Sequence, residues 1–235
     1  GFAGWNPRDR SMLITTRFAD TVQIHRVAMP MGAREQLSFE AEPVRGSWSP
    51  AGDVIAVQKD VGGNEFFQLY TLVNGRMTLV TDGRSRNQFG AWSQDGRLVG
   101  YSSTRRNGTD SDLYIVDPRD PATDRRVAEV SGGGWGIVDF SPDGARAVVV
   151  EYRQITKSNL HLLDVQRGGL TPIGDHSREI AYGGAQFAPD GSLWVTSDEG
   201  SDFQRLGRLD VATGRFTPVV TDLNWDVENF DISAD

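Results

Sequence analysis

The chain has 235 residues, with 27 Gly, 10 Pro, no Cys and a formal net charge of −8. Basic residues are scattered, with no run longer than the pairs Arg105-Arg106 and Arg125-Arg126, which argues against a nucleic-acid or anionic-membrane partner. The lack of Cys excludes disulfides, thiolate catalysis and Cys-based metal sites; it fits a reducing compartment such as the cytoplasm and is compatible with the periplasm.

In chain order, the first element is an apolar strand over Gly1-Phe-Ala-Gly-Trp5, closed by the turn string Trp5-Asn-Pro-Arg-Asp. Related strings follow at Trp48-Ser-Pro-Ala-Gly, Trp92-Ser-Gln-Asp-Gly, Phe140-Ser-Pro-Asp-Gly and Phe187-Ala-Pro-Asp-Gly, and another begins at Phe230-Asp-Ile-Ser-Ala-Asp. The aromatics step by 43, 44, 48, 47 and 43 residues. A period of roughly 45 is that of propeller blades with four strands each. Pro pre-sets one turn angle, Asp bonds nearby backbone and Gly relieves the exit, so each string predicts a sharp β-turn.

After each turn comes a short apolar run, as in Val54-Ile-Ala-Val57, Leu98-Val-Gly-Tyr101 and Ala147-Val-Val-Val150. Such a run suits a strand covered on both faces. A third strand follows at Val22–Val27, Gln68–Leu72, Asp112–Val116, Leu160–Asp164 and Leu206–Val211, and a more polar fourth closes the unit, as in Gly75–Val80 and Gly214–Val220. The expectation is an all-β chain of antiparallel four-stranded blades starting near Gly1, Val44, Asn87, Trp135 and Ala181. An inner strand of a sixth blade is expected at 225–230, so the array reads as an incomplete ring. Each recurring aromatic is expected to wedge between sheets, where it buries roughly 150–250 Å².

The chain carries no complete catalytic motif. The strings Gly83-Arg-Ser-Arg-Asn and Gly100-Tyr-Ser-Ser-Thr lack the second Gly of a nucleophile elbow. His25 and His161 fall at related places in third strands, where half-exposed residues are expected, and His176 falls in a polar loop; none has metal-site spacing. Asn107-Gly-Thr-Asp-Ser-Asp112 gathers oxygen ligands but lacks the distal Glu of a calcium loop, and reads as a hairpin. Ser131-Gly-Gly-Gly-Trp135 has no Lys and no following helix to cradle a phosphate. No cofactor or metal is expected. What remains are the loops entering the inner strands, which carry Arg45, Arg86, Asn87, Trp135, Tyr182, Trp225, Asp226 and Glu228. In a propeller these face the mouth of the central channel, which makes them candidate substrate contacts.

Several longer strings resemble the β-propeller part of prolyl-oligopeptidase family serine peptidases, of the dipeptidyl peptidase and acylaminoacyl peptidase kind. They are Gly4–Phe18, Lys59-Asp-Val-Gly-Gly-Asn-Glu-Phe-Phe-Gln68, Ser103–Tyr114, Ala181-Tyr-Gly-Gly-Ala-Gln-Phe187 and Trp225-Asp-Val-Glu-Asn-Phe230. The resemblance implies a propeller that screens short peptides for an α/β-hydrolase domain of the same polypeptide, which holds the catalytic Ser, Asp and His. No position here matches those catalytic residues. The acids that hold a peptide amino terminus in the dipeptidyl peptidase branch are not assigned to Glu65, Glu199 or Glu228. The turn repeat is shared with TolB-type periplasmic propellers, so a non-enzymatic protein-binding propeller is the alternative. A lyase or hydrolase with its site in the channel would need converging histidines or carboxylates, and the three histidines speak against it.

Overall fold

The structure is a computed structural model that describes residues 1–17 and 20–233. Phe18, the last residue of one family-like string, and Ala234 and Asp235, which end the last turn string, lie outside the described residues. Twenty strands form five antiparallel sheets of four, each in simple chain order, and there is no helix among the described residues. The sheets are β1 to β4 (Phe2–Trp5, Met12–Arg17, Val22–Val27, Arg34–Gln36), β5 to β8 (Arg45–Trp48, Ile55–Lys59, Gln68–Val73, Arg76–Leu79) and β9 to β12 (Asn87–Trp92, Val99–Ser103, Asp112–Asp117, Asp120–Ala128). They continue with β13 to β16 (Trp135–Phe140, Arg146–Gln154, Lys157–Asp164, Leu170–Ile173) and β17 to β20 (Tyr182–Phe187, Leu193–Ser197, Arg205–Leu209, Phe216–Pro218). This is a β-propeller of four-stranded antiparallel blades. Residues 225–230 form no ladder and so no strand; Val227 N donates to the Gln204 carbonyl (2.9 Å) and Gln186 Nε2 to that of Phe230 (3.1 Å).

The chain divides into two compact units, Gly1–Gly108 with Ile115–Arg125, and Thr109–Tyr114 with Arg126–Asp235. In the first, Leu13 and Ile24 of one sheet meet Ile55, Val57 and Leu72 of the next, with Trp48 and Tyr70 packed at the margin. In the second, Val148, Leu160 and Ile173 meet Ala185, Phe187, Leu193 and Val195. The second strands are the most enclosed, as their unalternating apolar runs predict: every residue of β10 is buried. The aromatics that end first strands divide. Phe140 is 0% exposed, Phe187 3% and Trp92 8%, but Trp5 is 60% exposed, its ring leaning on Phe2 instead of wedging between sheets.

The turns share one bonding scheme. At 140–146, Ser141 N donates to the Arg146 carbonyl (2.9 Å), Gly144 N to the Ser141 carbonyl (2.8 Å) and Ser141 Oγ to Asp143 Oδ1 (2.6 Å). Ser93, Asp95, Gly96 and Leu98 repeat it. Asn6 takes the serine's place in the first turn, accepting from Arg8 N through Oδ1 (2.8 Å). In the first unit these turns also tie one sheet to the next: Asn6 Nδ2 donates to the Gly52 carbonyl (3.2 Å) and Ser49 Oγ to that of Gly96 (3.1 Å). So close an approach leaves no room for a side chain. A Cβ on Gly96 would lie 2.5 Å from both Ala51 N and Ser49 Oγ, whereas one on Gly144 meets nothing within 4 Å.

Between the fourth and fifth sheets the tie is a carboxylate. Asp139, beside a register shift in β13, accepts the Phe187 backbone N–H at 2.6 Å. Burial outweighs the bonds from the Phe187 and Phe140 amides and raises its carboxyl to about 6.

Two stability predictions arise. Gly96 and Gly144 both have positive φ (70° and 66°), so an alanine costs each about 1 kcal/mol of backbone strain. Overpacking adds about 1–3 kcal/mol more at Gly96 alone. Denaturant unfolding should therefore find Gly96→Ala clearly less stable than Gly144→Ala; equal losses would show that the turn contact is not tight. For Asp139, a folded pKa raised above the unfolded one contributes stability that is full below the unfolded value and lost as pH rises through about 6. Asn keeps the acceptor for Phe187 without the charge. Asp139→Asn should thus gain up to about 3 kcal/mol over wild type at pH 7 to 8, the equivalent of some 2 pK shifts, and little near pH 4.

Candidate functional site

Within an antiparallel blade, the start of the first strand, the hairpin between the second and third, and the loop leaving the fourth all fall at one end. In the fourth sheet Trp135 pairs with Glu151 and Gln154 with Lys157 at that end. The residues expected to contact a substrate all sit on such ends or on the segments leading to them.

In the first unit, Arg45 opens β5 opposite Gln58 and is exposed. Arg86 is exposed, with its guanidinium 4.8 Å from the Phe66 ring centroid. Asn87 turns inward. It is 4% exposed, and its Nδ2 donates to the carbonyls of Phe67 and Ser85 and to Gln68 Oε1 (2.9–3.0 Å), so its side chain locks the loop entering β9 instead of facing solvent. Gln68 is the hub of that lock, also accepting from Thr81 Oγ1 (2.8 Å) and Gly83 N (3.0 Å). Nearby, the buried Lys59 Nζ pairs with Glu40 at 2.6 Å. Glu65 is exposed with φ 60° and donates its N–H to Asp60 Oδ2 (2.9 Å).

In the second unit, Tyr182 is half-buried. Burial, and next the Glu199 carboxylate, push its hydroxyl up to about 12, and Glu199 itself pairs with Arg178. Trp225 is 63% exposed, and Asp226 Oδ1 accepts from Gln204 N (2.8 Å). Glu228 is exposed. Asp110 and Asp112, in the stretch that gathers oxygen ligands, accept from the amides of Gly132 (2.7 Å) and Val130 (3.0 Å). Among the described residues, no group of three or more His, Asp or Glu is placed to hold a metal ion.

Of the expected residues, Trp135 opens onto a cleft with convergent polar groups. Even-numbered residues of β14 and β15 pack against the fifth sheet, so Glu151, Asn159 and His161 turn to the opposite face. There they line a cavity of about 680 Å³ with Trp135, His176 and the rim residues Arg153, Lys157 and Glu179. Glu151, Asn159 and His161 are only 5%, 6% and 8% exposed. Glu151 Oε2 accepts from Asn159 Nδ2 (2.7 Å), and its other oxygen pairs with Arg153 Nη2 (2.8 Å). The His161 ring lies 5.0 Å from Trp135 and 4.7 Å, edge to face, from His176. His176 Nε2 donates to the Leu160 carbonyl (3.0 Å), so in the neutral ring Nδ1 is the acceptor.

Burial, then the neighbouring His176, push His161 down to about 4, so its ring is neutral at pH 7. The half-exposed strand position expected for His25 and His161 is therefore corrected: they are 1% and 8% exposed. Both are third-strand residues covered on a face that their polarity does not announce. His176 meets His161 because the β15–β16 hairpin folds back, a contact with no signature in local spacing.

No family model matches the chain, and no curated protein does. Among solved structures, a prolyl endopeptidase superposes with a TM-score of 0.74 at 14% identity, over 95% of this chain and 36% of its own. The oligogalacturonate lyase of Vibrio parahaemolyticus gives 0.72 at 13%, over 92% and 63%. A putative TolB from Agrobacterium tumefaciens gives 0.62 at 19%, over 93% and 79%. The chain thus spans just over a third of the length of that prolyl endopeptidase. At such identities the likeness is one of fold, and the chain shares the four-stranded-blade propeller of prolyl peptidases and of TolB.

Proposed function

We propose that this chain is the propeller that gates and selects substrates for a serine peptidase acting on short peptides, with its α/β-hydrolase domain in the same polypeptide. The observation that carries this reading is the superposition of nearly the whole chain on about a third of a prolyl endopeptidase, combined with the family-like strings. That endopeptidase is described as one in which inter-domain dynamics have a role in catalysis and specificity. A propeller can contribute to selectivity through the loops at one end of its blades. In this reading Arg45, Arg86, Trp135, Tyr182, Trp225, Asp226 and Glu228 meet the substrate, while Asn87 acts from inside by holding the loop that carries Arg86.

The TolB-like likeness supports a second reading, a propeller that docks a protein and catalyses nothing. One experiment separates the two. The full product of the native gene should hydrolyse a chromogenic di- or tripeptide and spare folded casein-sized proteins, and the 235-residue chain alone should hydrolyse neither. A full-length product without peptidase activity overturns the gating role. Activity in the 235-residue chain overturns the placement of catalysis elsewhere.

A further inference from the structure

The cleft on the fourth sheet has the build of a binding site. Three polar side chains at least nine-tenths buried line it, and each still has unspent hydrogen-bonding capacity. A neutral imidazole carries a single N–H. His161 Nδ1 is enclosed without a partner among the described residues. An orphaned buried N–H is rarer than an orphaned acceptor, which assigns the hydrogen to Nε2 and makes it available to a ligand. His176 commits Nε2 to the Leu160 carbonyl, and in its neutral form it presents Nδ1 as an acceptor. Asn159 spends its amide on Glu151 and retains its carbonyl oxygen.

The charges in and around the cleft balance: Glu151 and Glu179 offset Arg153 and Lys157, and Glu151 is already neutralised by Arg153. A ligand carrying net charge meets no excess of opposite charge there. Apart from Gln154 and the charged Arg153, Lys157 and Glu179, the cleft offers one donor and two acceptors beside an indole wall, about 680 Å³ in all. Alternating donors and acceptors without charge are the signature of a polypeptide backbone, in which each residue carries one N–H and one C=O.

We propose that this cleft binds the uncharged main chain of a short peptide, held by Asn159, His161 and His176 against Trp135. This deepens the function proposed above, since it relies on peptides being what the propeller selects. It places their contact on a single blade, through backbone and not through either terminus.

The test is a titration of the whole 235-residue chain with an N-acetylated, C-amidated tetrapeptide of alanine and serine, followed by the imidazole 15N resonances of His161 and His176. Saturable shifts are expected at both rings, in the millimolar range. His161→Phe, which keeps the ring shape and removes the N–H, should weaken binding at least fivefold with an unchanged melting temperature. Trp135→Leu should do the same by removing the wall. Should both variants unfold, the wild-type titration still decides.

No saturable shift overturns the proposal. So does binding only of the same tetrapeptide with free, charged termini, or preferential binding of the neutral sugar cellotetraose. The two readings fail separately. Peptide binding without peptidase activity in the full gene product leaves the cleft and removes the gating role, and the reverse removes the cleft alone.

Discussion

The structure depends on the constraint that a four-stranded sheet with two apolar faces cannot cover either by itself. A blade such as β13 to β16 contributes Val148, Leu160 and Ile173 to a core completed by Phe187, Leu193 and Val195 of the following sheet. Burying apolar surface at about 25 cal/mol per Å² makes neighbours obligatory. It leaves their angle and spacing loosely defined, since hydrophobic contact has no direction. Directional contacts therefore sit at the ends and edges of the sheets. Asn6 and Ser49 bond the next turn's carbonyl, and Asp139 bonds the next strand's amide.

These ties differ in character. The turn contacts of the first unit are neutral hydrogen bonds across a gap that only glycine fits, and pH does not touch them. Asp139 is an ionisable group kept where its charged form is disfavoured. Near neutrality it holds the joint between two sheets at an energetic cost that an amide would avoid. Stability surrendered at one position is commonly tolerated when the rest of the fold over-determines the geometry.

Much of the fold was legible in the sequence because the same pressures act in every unit. The turn strings recur as closed turns, even where Asn6 replaces serine and the closing bond comes from Arg10 N, and the unalternating run before Tyr101 announced a strand covered on both sides. Trp5 shows the limit of that logic: an aromatic at the right place in the repeat is buried only if something packs over it, and Trp5 is left 60% exposed. Segment 225–230 shows another, because a β-like sequence becomes a strand only by pairing. The site was less legible. Trp135 is marked by its position at a strand entrance, whereas nothing in their spacing marks His161 and His176. Their significance comes from a hairpin register and from which face of β15 is enclosed, and neither is written in residue spacing.

The placement of Glu151, Asn159 and His161 on one face of a single sheet has an evolutionary consequence. The even positions of β14 and β15 are bound by the shape of the neighbouring sheet, so change there demands matching change elsewhere. On the odd face Ala147, Val149 and Leu163 are as tightly enclosed, but at its cleft end Glu151 and Asn159 answer mainly to each other. One copy of a duplicated module can thus drift toward new ligands while its sister copies and its own opposite side remain under the old selection, which lets a repetitive scaffold become specialised one member at a time.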